Sequence, residues 1–243
     1  MKVLSAFITI SLFILIPLLT FCSKSSSPSV PNNDSTQYTL GQLLNNPVNL
    51  PIGSEISIDG TIDEPVWQSA LNFELAYNEE VLLTYYNGYL YIGIKTKATP
   101  VSTVFLYREN KIYLLHSSAA VGSAVYEYNG NGWTKIKDFT WHCRDWSSSE
   151  SAENARQQFL ADEGWLASIG YAGTTTETEF QIAMDEESLL ISVATVGEPN
   201  YNVLSLWPDN ITDACTNPNM VQGSIPETAI FVPEQWISVN RPN

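Results

Sequence analysis

The sequence predicts an all-β protein, an antiparallel β-sandwich with one short covering helix, carried behind a signal segment and a disordered tether. Three observations lead there. From Leu50 onward, short runs of β-branched and aromatic residues alternate with Gly, Asn, Asp and Pro, the texture of strands and turns. Asn87-Gly88 joins two such runs, and this dipeptide readily takes the φ > 0 conformations of a two-residue hairpin turn. Only one stretch, around Ala152 to Leu160, has the apolar spacing of a helix.

The chain divides into a signal segment at 1–21, a flexible tether at 22–49 and a β-sandwich domain at 50–243. Lys2 is followed by a run from Val3 to Phe21 without a charged residue, which reads as an export signal. Three fates are open: cleavage and release, retention as a spanning anchor, or cleavage before Cys22 with a lipid added to that cysteine. The stretch Leu19-Thr20-Phe21-Cys22 resembles a bacterial lipoprotein box, although Phe21 stands where a small residue belongs. The place of Cys22, after the apolar run and before Ser23-Lys24-Ser25-Ser26-Ser27, favours lipidation and a domain facing the periplasm or exterior. Ser23 to Thr36 is rich in Ser, Pro and Asn and buries too little to offset its ordering entropy.

Within the domain, strands are expected at Glu55–Asp59, Val81–Tyr86, Tyr89–Lys95, Ser102–Tyr107, Lys111–His116, Ala124–Tyr128, Glu177–Ala183, Leu190–Val196 and Asn202–Leu206. On the second hairpin strand Leu90, Ile92 and Ile94 share one face, and Tyr89, Tyr91 and Lys95 share the other, wetter one. Arg108-Glu109-Asn110 and Asn129-Gly130-Asn131-Gly132 read as further turns. The helix has serines at 147 to 149 as caps, Glu150 and Glu153 near its N-terminal dipole, and Gly164 as its terminator.

The net charge of −15 repels nucleic acid and anionic lipid surfaces, so neither is an expected partner. Cys143 and Cys215 are the cysteines left after Cys22, and in an exported chain they are expected to pair. Closing that loop of about 70 residues would contribute roughly 4 kcal/mol; two buried thiols are the alternative.

The segment Ile56-Ser57-Ile58-Asp59-Gly60-Thr61-Ile62-Asp63-Glu64-Pro65-Val66-Trp67-Gln68-Ser69-Ala70 resembles the opening of family 9 carbohydrate-binding modules and their DOMON-like relatives. The likeness extends through the hairpin to Lys97. It implies an antiparallel β-sandwich, commonly with carbohydrate recognition and structural calcium, and a haem in some DOMON-like members. Read from the residues alone, Asp59-Gly60 turns the chain, Pro65 opens a short helical turn, and Trp67 plugs a core.

Sugar binding needs flat aromatic faces beside amide, carboxylate or guanidinium groups. Trp133, Trp141, Trp146 and Trp165 cluster with Arg144 and Asp145, and Trp207 adds a fifth ring. Any one of these fills space between sheets as naturally as it binds a ligand; as a group, an exposed pair is expected. The Trp141–Trp146 segment reads as a polar turn. A glycan or glycoconjugate is the expected partner, with an envelope protein as the alternative, and the membrane is reached through the lipid anchor. Enzyme activity is not expected; the alternative is glycoside processing by Glu177 and Glu179, which share a strand face and otherwise form a solvated surface. No cofactor is required: His116, His142, Met184 and Met220 show no haem-ligand spacing, and calcium has Asp59, Asp63 and Glu64 as its candidate ligands.

Overall fold

The computed structural model describes residues 47–97, 101–143, 149–172, 175–197 and 203–243, and a separate two-residue ladder between β1 (Val30–Pro31) and β2 (Gln37–Tyr38). The leader, Cys22 and most of the expected tether lie outside the described residues, as do Arg144, Asp145 and Trp146.

Two sheets face each other, as expected for a sandwich. The smaller one is built from β4 (Leu71–Glu74), β5 (Glu80–Tyr86), β6 (Tyr89–Thr96), β11 (Trp165–Ala172) and β12 (Thr175–Ala183), in the spatial order β11-β12-β6-β5-β4. The larger one contains β3 (Val48–Asn49), β7 (Val101–Arg108), β8 (Lys111–Ser117), β9 (Ala120–Tyr128), β10 (Trp133–Cys143), β13 (Ser188–Gly197), β14 (Val203–Trp207), β15 (Thr228–Ala229) and β16 (Ile237–Asn240). Its order is β15-β10-β9-β8-β7-β13-β16-β3, with β14 also on β13. Every strand pairing is antiparallel except that of β16 with β3.

Local chemistry sets the connections. Asn87 and Gly88 take φ of 47° and 88° and put Tyr86 opposite Tyr89, so Leu90, Ile92 and Ile94 fall on the face between the sheets, each with no exposed surface. Glu109 and Asn110 turn β7 into β8 with φ of 51° and 61°. Asn129 caps its own turn, its side-chain oxygen accepting from the Asn131 and Gly132 N–H groups.

The inner core joins Phe73, Val81, Leu83 and Phe180 to Val104, Leu115, Ile191 and Val193, each fully buried aliphatic or aromatic chain contributing roughly 1.5–3 kcal/mol. Two further apolar layers cover the outside. The C-terminal segment, including α2 (Pro218–Val221), lies on the large sheet and buries Phe105, Leu114 and Tyr126 under Met220, Phe231 and Trp236. Asp213 organises this cover: its carboxylate accepts from the Trp236 indole N–H at 2.8 Å, the Val232 N–H at 2.9 Å and the Cys215 N–H at 2.9 Å. On the small sheet, Ile56, Ile58, Ile62, Val66 and Trp67 cover Leu82, Tyr91 and Leu166.

One strap closes an edge. After β3, the Leu50 N–H donates to Asn240 O in the large sheet. Three residues later the Gly53 N–H donates to Tyr85 O on β5 of the small sheet, and the Tyr85 N–H donates to Pro51 O.

Two expectations about elements change. Glu55–Asp59 is extended but makes no ladder; it crosses an outer sheet face and offers its apolar side chains downward, so its period-2 pattern reflects one-sided burial without a strand partner. Trp141 to Cys143 is not a turn but the end of β10, paired with Gly122, Val121 and Ala120.

Candidate ligand site

The outer face of the small sheet is built by a clasp. On β12, Glu177 and Glu179 project outward side by side, and the Asp59–Ile62 chain lies over them. Glu179 Oε2 accepts from the Asp59 N–H at 3.1 Å and the Gly60 N–H at 2.9 Å, while Glu177 Oε2 accepts from the Ile62 N–H at 2.7 Å. The expected solvated face fails at Glu179, which has no exposed surface, while Glu177 is half-buried, because orphan main-chain donors of an irregular segment needed acceptors beneath it. Burial pushes the Glu179 carboxyl up to about 8, helped by the neighbouring Glu64 and Asp59 charges and opposed by the two N–H donors.

Beyond the clasp, α1 (Glu150–Glu163) forms a second wall. Its ends match the sequence signals: Ser149 accepts from the Ala152 N–H at 3.2 Å, and Gly164, at φ 72°, donates to Leu160 O. Near its C-terminus Glu163 reaches the large sheet, accepting from Ser123 Oγ at 2.8 Å and Lys137 Nζ at 3.0 Å.

Between α1, the Glu55–Asp59 segment and the sheet lies a cavity of about 620 Å³. Tyr89 and Tyr91, edge to face at 6.5 Å, line it together with Leu160 and Leu166. Gln157, Gln181 and Ser57 add neutral polar groups. Glu55, Asp59, Glu64 and Glu153 contribute carboxylates against the single guanidinium of Arg156. That guanidinium already donates to Glu153 Oε2 at 2.5 Å. Burial, followed by proximity to Tyr89, Glu55 and Tyr86, pushes the Tyr91 hydroxyl up to about 12, so it stays a phenol and a hydrogen-bond donor. Glu64 is held in place from two sides, Oε1 accepting from the Ser57 N–H at 3.0 Å and Oε2 from the Trp67 indole N–H at 3.2 Å.

Of the five tryptophans expected to bind a ligand, three are buried, Trp141 is exposed, and Trp146 lies outside the described residues. Trp133 is buried under the C-terminal cover, its indole donating to Phe231 O at 3.0 Å. Trp165 lies between the sheets against Phe180, and Trp207 packs 4.4 Å from Phe73. All three occupy core-facing strand positions, where large rings fill space that no smaller residue would. Trp141 differs, with 47% of its surface exposed. It stacks on Phe139 at 4.7 Å and meets the edge of His116. Its ring rests against Gly122 and Gly223, where an added Cβ would come within 2.8 Å and 2.9 Å of the indole.

The expected disulfide is also corrected. Cys215 is a free thiol, fully buried in the C-terminal cover, and burial together with Asp213 raises it well above the usual thiol range. The Cys143 side chain lies outside the described residues. His116 is buried, its Nδ1 2.9 Å from Val221 O, the structural role that its strand-end position allows.

Of the calcium candidates, Asp59 accepts from the Thr61 N–H at 2.9 Å, Glu64 accepts one N–H on each oxygen as above, and Asp63 is exposed. Among the described residues no three His, Cys, Asp or Glu side chains are grouped to hold a metal.

Sequence reasoning missed the cavity as a site; it placed Tyr89 and Tyr91 on one wetter, aromatic face, which holds for the half-buried Tyr89 but not for Tyr91, buried beneath the Ile56–Trp67 cover. In comparisons with known proteins, no family model, no curated protein and no solved structure matches the chain.

Proposed function

We propose that this domain is a non-catalytic binding module for a carbohydrate or glycoconjugate, displayed from the cell envelope, and that the cavity beside α1 is its ligand site. The observation that carries the reading is the composition of the cavity wall. The half-buried Tyr89 offers apolar ring surface, backed by the buried Tyr91, while Gln157, Gln181, Ser57 and the carboxylates offer hydroxyl-bonding groups around one cleft. A saccharide needs that pairing of apolar and polar contact, and about 300–1,000 Å³ is the usual range of small-ligand sites. The resemblance of the Asp59–Trp67 opening to family 9 carbohydrate-binding modules supports the same class. A binding rather than hydrolytic role is supported by Glu177 and Glu179, whose oxygens hold main-chain amides.

A glycan array followed by calorimetric titration tests the reading. A captured glycan is expected to lose about tenfold or more in affinity when Tyr89 is replaced by alanine, with the fold retained by circular dichroism. Failure to capture any sugar across a broad panel would overturn it.

A second reading, a protein-interaction module of the envelope, draws on Trp141, a half-exposed indole seated on two glycines. Display is proposed through lipidation of Cys22. In cells, Cys22→Ser is expected to move the protein from the detergent phase to the aqueous phase; unchanged retention would point to an uncleaved leader helix.

A further inference from the structure

We infer that the cavity selects an amino sugar bearing a free, protonated amine, in preference to neutral, acetylated or acidic sugars. The inference rests on the glycan reading above and sharpens it to a chemical class. It comes from the charge of the wall and from how its carboxylates are held.

Four carboxylates and one guanidinium line the cavity, and the guanidinium is engaged by Glu153. Gln157 also donates to Glu153, at 2.9 Å, so Arg156, Gln157 and Glu153 form a closed set along one helix face. The remaining carboxylates, Glu55, Asp59 and Glu64, sit on the opposite wall. A uronic acid, sialic acid or sulfated sugar would bring its anion against them with the single cation already committed. Inside a concave, partly desolvated wall such like-charge contact costs far more than in open water.

Glu64 gives the preference a geometric basis. Its two oxygens are fixed by Ser57 N–H and Trp67 Nε1–H, one donor each, whereas a carboxylate has about four acceptor positions. It therefore enters binding already oriented and with acceptor capacity to spare, and an ammonium group uses that capacity as a charge-assisted hydrogen bond. Tyr89 serves the same ligand twice. Its half-buried ring can cover the apolar face of a pyranose, and an aromatic face also attracts an ammonium group. The chain's net charge of −15 adds a long-range field that draws cations toward the surface and raises their association rate.

The test titrates the full chain at low salt and about pH 6, below the range near 8 in which α-amino groups titrate. The probes are glucosamine, N-acetylglucosamine, glucose and glucuronic acid, each as monosaccharide and disaccharide. The amine is expected to bind about tenfold or more tighter than the hydroxyl or acetamido sugar, the worth of one charge-assisted hydrogen bond. Glu55→Gln, an exposed position on the cavity wall, is expected to narrow that ratio by weakening the amino sugar more than the neutral ones. Equal affinity for the amino and acetylamino sugars, or a preference for the acid, would overturn the selectivity and leave the glycan reading standing. Absence of binding by every sugar would remove both.

Discussion

Replacing Glu179 by glutamine is expected to flatten the stability of the domain between about pH 5 and pH 8, the parent losing on the order of 4 kcal/mol across that window relative to the variant. In the folded domain this carboxyl titrates at about 8, against an ordinary value of 4.5. The sign follows from proton binding. The unfolded chain releases the proton as pH passes the ordinary value, while the folded domain holds it. Stability from this group is therefore fully present in acid and is lost as pH rises through the folded value. Glutamine keeps an oxygen for the Asp59 and Gly60 N–H donors without a proton to lose. Urea denaturation of both proteins at several pH values reads the effect, and their difference cancels the contributions of the other carboxylates. If the parent and the variant run parallel across the window, Glu179 is ionised in the folded domain.

The second large effect is expected at Gly60. At φ 91°, an alanine Cβ there would stand 2.5 Å from Gly170 N and 2.9 Å from Ile169 N; both are main-chain atoms of β11, so no side chain can swing aside. The approach is mutual, since a Cβ at Gly170 would run into Gly60 O. Gly88 has nearly the same φ, 88°, with nothing within 4 Å of an added Cβ. Gly88→Ala is thus the control for backbone strain alone, about 1–2 kcal/mol, and Gly60→Ala is expected to cost roughly 3 kcal/mol more. Equal midpoints in denaturant for the two variants would show that the clasp yields easily. Because Glu64 and Asp59 flank that turn, the Gly60 variant should also lose the cavity's ligand.

What the sequence made legible was what short-range chemistry decides. Asn87-Gly88 located a hairpin and the face of each of its residues, and Ser149 with Gly164 located both ends of the helix. What it hid depended on contacts distant along the chain. Glu179 looks like an outward residue on an alternating strand, and only the arrival of Gly60 from 119 positions away buries it. The tryptophans near the middle of the chain are neighbours in sequence, yet Trp133 and Trp165 belong to different apolar layers. Cys215 shows the same limit: an even count of two cysteines suggests a bond, but the C-terminal cover needed an apolar filler there.

The strap from Val48 to Gly53 has a mechanical meaning. A pull applied at Val48 is delivered to two residue pairs beside β16, and a few residues later to Tyr85 in the opposite sheet. Tension entering from that side is thus shared by both halves of the sandwich before it reaches Asp59, and the wall that frames the cavity stays unloaded until the strap has torn from Tyr85.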